Sequence, residues 1–171
     1  MTPTASRWDN IVSSEAKAGV VGLGNILMRD EGVGVRVVEM LEARGGFDDV
    51  AFYDGGTAIL DLMPELTGHQ ILVVVDALQG GEEPGSVYVL EREALAALER
   101  EEPPRTSLHQ VSLLEALRMA EVEGITPGRI RILGIEPETV EPGMELSGTL
   151  ERKLPEVVEV VEREIRSMLA E

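Results

Sequence analysis

Apolar residues along this chain fall into two patterns, short β-branched runs and longer stretches at helical spacing. The purest run is ILVVVDA at 71–77, whose continuity predicts a strand buried on both faces. Residues 19–23, 50–53 and 129–136 read as further strands, and 85–90 alternates more, as a strand nearer an edge does. Helical spacing predicts helices over about 31–44, closed by Gly45-Gly46, then 58–66, with Pro64 near its end, and 109–124. Residues 91–107 are charged and then proline-rich, which predicts a helical turn and an exposed loop. The clearest stripe is the last: Leu150, Leu154, Val157, Val158, Val161, Ile165, Met168 and Leu169 share one helix face. Strand and helix alternate. The pattern predicts a three-layer α/β/α domain with a mostly parallel, twisted sheet.

Ligands of such sheets gather beyond the carboxyl ends of the strands. Three loops are expected there, RDEG after the first strand, DGGT after the second and DALQGG after the third, with the loop before His109 joining them.

Length and composition narrow the picture. A chain of 171 residues, 43% hydrophobic, suits a single domain. Residues 1–18 read as a flexible N-terminal extension and 19–171 as the domain. No apolar run approaches the roughly 20 residues needed to span a bilayer, and residues 1–19 show no secretory h-region. The chain has no cysteine, which excludes thiolate metal sites and cysteine nucleophiles and fits a reducing cytoplasm. A formal charge of −17 opposes a nucleic-acid ligand; it secures solubility or greets a basic partner.

The first loop, GLGNILMRDEG, opens like a nucleotide site, yet its tip carries Asp30 and Glu31, which repel phosphate. The dinucleotide fingerprint also fails, because its sixth position is Leu27. No P-loop, G-x-S-x-G elbow or H-E-x-x-H is present. What is left is a set of polar residues at strand ends. Asp76 ends the most apolar strand, where a carboxylate is costly unless it caps the next turn or meets a cation. Asp30 reads as an N-cap, and Glu31 as either a first-turn carboxylate favoured by the helix dipole or a ligand.

Only two histidines exist. His69 lies about 23 Å from Asp76 at 3.3 Å per residue, at the wrong end of the sheet, and reads as a surface turn residue. His109 begins a helix near the strand ends, as a structural residue or as a ligand. Together, Glu31, Asp76 and His109 make a one-nitrogen, two-oxygen set for a divalent transition metal, with positions open for water or substrate. Their side-chain atoms are expected within about 6 Å of one another.

Five stretches, GLGNILMRDEGVGVRVVEML, DGGT, VVVDA, SLHQVSLLEAL and GIEPETVEPGMELS, resemble the hydrogenase maturation proteases in family order, over about 20–169. The resemblance implies a phosphorylase/hydrolase-like sheet and an endopeptidase that trims a C-terminal tail from the large-subunit precursor of a nickel–iron hydrogenase after nickel insertion. It places metal contacts and catalysis on Glu31, Asp76 and His109, with nickel arriving on the substrate and other divalent ions able to occupy the free site. Asp54 then serves substrate recognition or a backbone turn, beside Gly55, Gly56 and Thr57; the two glycines permit close backbone approach or positive φ. The implied enzyme is cytoplasmic, with no nucleic acid or membrane partner and a monomeric state favoured. Two other readings differ in class. One is a nickel-sensing or chaperone module built on the same trio. The other is a peptidyl-tRNA hydrolase, which shares GLGN but whose Pro-Gly and Thr-Arg-His-Asn continuations are missing here.

Overall fold

A strand as apolar as 71–77 needs cover on both faces, and it has it. The computed structural model describes residues 16–98, 108–124 and 126–171. Strands β1 (Ala18–Leu23), β2 (Val50–Gly56), β3 (Ile71–Ala77), β4 (Val87–Glu91) and β5 (Arg129–Ile135) form one sheet in the order β2-β1-β3-β5-β4. Four strands are parallel, and β4 closes one edge antiparallel to β5. β1 and β3, the central strands with apolar side chains on both faces, are buried along their whole length.

Helices α1 (Val33–Arg44) and α5 (Gly148–Ala170) cover one face, packing on Val20, Val73 and Val75. On the other face α2 (Met63–Leu66) and α4 (Leu108–Glu123) cover Val21, Leu72 and Val74. A short α3 (Arg92–Leu98) follows β4. The three-layer, mostly parallel architecture expected from the pattern is the one observed. The proline-rich part of 99–107 lies outside the described residues.

Local chemistry explains where boundaries depart from periodicity. The stretch expected as one helix over 58–66 is a 3-10 turn, Ile59–Leu62, followed by α2, because Pro64 sits in the first turn of α2 rather than at its end. The expected helix from Glu31 opens as a 3-10 turn, Arg29–Gly32, and becomes α-helical at Val33. α5 starts before its apolar stripe because the Ser147 hydroxyl accepts the Leu150 N–H at 3.2 Å as an N-cap. β1 begins at Ala18, and the Lys17 carbonyl accepts N–H groups of Gln70 and Ile71 at 3.1 and 3.2 Å. Ala18, the last residue of the expected extension, therefore lies in the sheet, and Lys17 bonds to the start of β3; residues 1–15 lie outside the described set.

His69 corrects an expectation. It is a turn residue before β3, but it is 3% exposed rather than on the surface. Its Nδ1 lies 2.9 Å from the Ala16 carbonyl and its Nε2 lies 2.7 Å from the Tyr53 hydroxyl. A carbonyl can only accept, so Nδ1 carries the proton, and in the neutral ring Nε2 accepts from Tyr53. Both polar atoms are satisfied within the protein, which lets the ring be buried.

Candidate active site at the carboxyl rim of the sheet

Parallel strands bring their carboxyl ends to one rim, where the segments following β1, β2, β3 and β5 hold one another by backbone groups. The Gly24 N–H donates to the Gly56 carbonyl at 2.8 Å, joining the loops after β1 and β2. Two glycines seat the first loop. Gly24 takes φ +126°, and a Cβ there would lie 1.8 Å from the Glu31 carbonyl oxygen. A Cβ on Gly34 would lie 2.2 Å from the Val75 carbonyl oxygen. These glycines therefore press the acidic turn onto the ends of β1 and β3; they do not open a phosphate cradle. Arg29, just before that turn, takes φ +46°, a conformation strained for a side chain and held here by neighbours. Its N–H donates to the Gly143 carbonyl at 2.8 Å, and the Gly143 N–H donates to the Leu27 carbonyl at 2.9 Å.

Asp30 is not the N-cap expected of it. The N-cap positions of the 3-10 turn and of α1 are Met28 and Gly32, neither with a side-chain cap bond, and the Asp30 carboxylate is fully buried. Its Oδ2 accepts the Glu138 and Thr139 N–H groups at 2.9 and 3.0 Å, and Oδ1 accepts that of Ser147 at 2.7 Å. The physical reason is competition: three amides of a distant loop outweigh one orphan N–H of a short turn. Glu31, the next residue, is half-buried in a turn that packs against β3, and its N–H donates to Met28 at 3.1 Å.

Asp76 is 1% exposed at the end of β3, and its Oδ1 accepts the Ala77 N–H at 2.8 Å. Strand alternation puts it on the face of Leu72 and Val74, which α4 covers. Because α4 is followed by a strand parallel to β3, its first turn, with His109, stands at the carboxyl rim on that same face. The backbone thus brings the segments bearing Glu31, Asp76 and His109 to one rim. The His109 side chain lies outside the described residues, and among the described residues no three acidic or histidine side chains form a metal-sized cluster.

At the end of β2, which runs on through the first three residues of DGGT, Asp54 is exposed and its Oδ1 accepts the Gly56 N–H at 3.0 Å. Gly55 is buried with Leu23 Cδ2 only 2.6 Å from where a Cβ would stand, and Gly56 takes φ +44°. Thr57 is exposed beside them.

Glu136, which follows β5, was visible in the sequence only as another carboxylate ending an apolar strand. It is 6% exposed, and its Oε2 accepts the N–H groups of Gly80 and Gly81 at 2.7 and 3.0 Å and the hydroxyl of Tyr88. It fixes the loop that leaves Asp76. Burial raises the Tyr88 phenol above its ordinary value, and the Glu136 carboxylate adds to the rise.

The profile of the family described as hydrogenase maturation protease matches residues 35–164. The hydrogenase 2 maturation protease of Escherichia coli (strain K12) is 35% identical over 144 residues, 83% of this chain and 86% of that one. The hydrogenase expression/formation protein HupD of Rhizobium leguminosarum bv. viciae is 36% identical over 150 residues, 86% and 73% of the two chains. The hydrogenase maturating endopeptidase HybD from E. coli superposes with a TM-score of 0.78 at 33% identity, over 89% of this chain and 93% of that one. The chain belongs to the hydrogenase maturation protease family and is a peptidase. Among the described residues no helix is long and apolar enough to cross a membrane.

Proposed function

We propose that this peptidase removes the C-terminal tail of a nickel–iron hydrogenase large-subunit precursor that already carries nickel, and that Glu31, Asp76 and His109 contact that metal. The observation carrying the reading is the placement of the acidic 3-10 turn, the end of β3 and the first turn of α4 at one rim. The donor set suits the ion: two carboxylates and an imidazole are ordinary ligands for a first-row divalent metal and leave coordination positions for groups of the precursor. Held by these three side chains, a substrate-borne nickel would supply charge stabilisation at the scissile peptide.

The chain's own groups do the rest. The buried Asp76 carboxylate stands in a position set by its own strand and by the Ala77 N–H, so it meets the precursor with little reorganisation. Glu31 reaches the rim from a turn locked against β3. Asp54 holds the DGGT turn and, being exposed, presents its second oxygen toward an approaching chain for recognition. The protease works in the cytoplasm, as a monomer, on a protein partner.

The test mixes the purified chain with nickel-loaded precursor and follows tail release on a gel. Release by the wild type and its loss in Asp76→Asn is the expected result. Binding without release by the wild type would turn the reading into a nickel-sensing or chaperone module.

A further inference from the structure

We propose that Asp30 is a positioning residue for the candidate centre: its carboxylate ties the segment after β5 to the turn that carries Glu31. The inference rests on the function proposed above and deepens it. Asp30 has no exposed surface, yet it touches no cation among the interactions described; its three partners are backbone N–H groups of Glu138, Thr139 and Ser147, at 2.7–3.0 Å. Those residues lie 108–117 positions away in sequence, and they bracket the loop from Glu138 to the N-cap of α5. The Asp30 N–H in turn donates to the Thr139 carbonyl at 3.3 Å. Beside it, Arg29 keeps its positive φ through its bond to Gly143 of the same loop. Glu31 is therefore set from both sides: its turn rests on β3, and the residue before it is anchored to the loop. Release of the anchor frees the turn to rotate its carboxylates.

Asparagine has nearly the shape of aspartate but only one accepting atom. In Asp30→Asn the amide NH2 must face either Ser147 or the Glu138–Thr139 pair, donor against donor. Groups that orient metal ligands change affinity or activity by about 10–100-fold when removed. The experiment compares wild type, Asp30→Asn and Leu41→Ala, the last a buried α1 residue far from the rim that lowers stability alone. Cleavage of nickel-loaded precursor is measured where each variant is folded, alongside amide exchange in the free protein. The expected result for Asp30→Asn is a kcat lowered about 10-fold or more, with a smaller change in KM. Exchange should quicken at Glu138, Thr139 and Ser147 and extend to the Glu31 amide. Leu41→Ala should keep its kcat. Wild-type kcat in Asp30→Asn, or the same loss in Leu41→Ala, overturns the proposal.

If Asp30→Asn does not fold, the wild type decides. The Glu31, Glu138, Thr139 and Ser147 amides should then open in one cooperative step under mild denaturant; separate openings overturn the coupling. A wild type that releases no tail counts against the proposed function alone, since the exchange result still judges Asp30.

Discussion

Both edges of the sheet bury polar side chains, and they use them differently. At the amino edge His69 is satisfied by Tyr53 and Ala16, and Lys17 donates to the Leu169 carbonyl at 3.0 Å at the end of α5. Arg129 donates to the Met168 carbonyl and to Glu171 there as well. Lys17 and Arg129 close α5 onto the sheet, cations meeting helix C-terminal carbonyls as the dipole favours, while His69 ties β2 to the segment before β1. At the carboxyl rim the buried groups are carboxylates, Asp30, Asp76 and Glu136, and their described partners are mainly backbone N–H groups of loops. One edge fastens secondary structure, and the other fixes loops beside a polar rim. Burial alone does not separate a structural polar residue from a functional one; what its partners belong to does.

The largest contrast should come from His109→Ala and Asp76→Asn at the rim. Each is expected to lower tail release about 100-fold or more while circular dichroism stays native. Ordinary cleavage by either variant would erase the distinction between the edges. At the amino edge His69→Ala should do the reverse. It removes the hydrogen bond to the Tyr53 hydroxyl and empties a buried volume, costing about 2 kcal/mol in denaturant unfolding, with kcat unchanged in the folded enzyme. Loss of kcat there would mean that His69 reaches the chemistry.

A smaller effect concerns Tyr88, which joins β4 to the loop held by Glu136. Its phenol titrates above the ordinary value in the folded chain, so the fold favours the neutral form. That contribution is present below about pH 10 and is lost as pH rises through the elevated value. Wild type should therefore lose more stability than Tyr88→Phe between about pH 9 and pH 11, read from urea midpoints. Parallel losses would remove the phenol from that link.

How much of this was legible depended on the reach of each interaction. The 71–77 run and the α5 stripe are local patterns, and they announced a doubly covered strand and an amphipathic helix correctly. Asp76 was legible because a carboxylate at the end of such a strand is costly. The segments bearing Glu31 and His109 were placed by topology, which a parallel sheet makes predictable. Asp30 was misread because its partners lie more than a hundred residues away, and local rules see only the turn it starts. His69 was misread for a related reason: a tyrosine on β2 and a carbonyl before β1 allow its burial. Glu136 had the same signal as Asp76, a carboxylate ending an apolar strand, and that signal would have found it.

The central claim is that the rim reads a metal carried by the substrate, and the order of addition tests it most directly. In one arm the precursor is loaded with nickel, freed of excess ion, and then given to the protease. In the other the protease is given nickel, freed of excess ion, and mixed with metal-free precursor. A two-carboxylate, one-imidazole site has no cage to select or retain one first-row ion, so selectivity must come from the precursor's own ligands. Tail release in the first arm and little in the second is the predicted result. Efficient release from precursor that never received nickel would contradict the account.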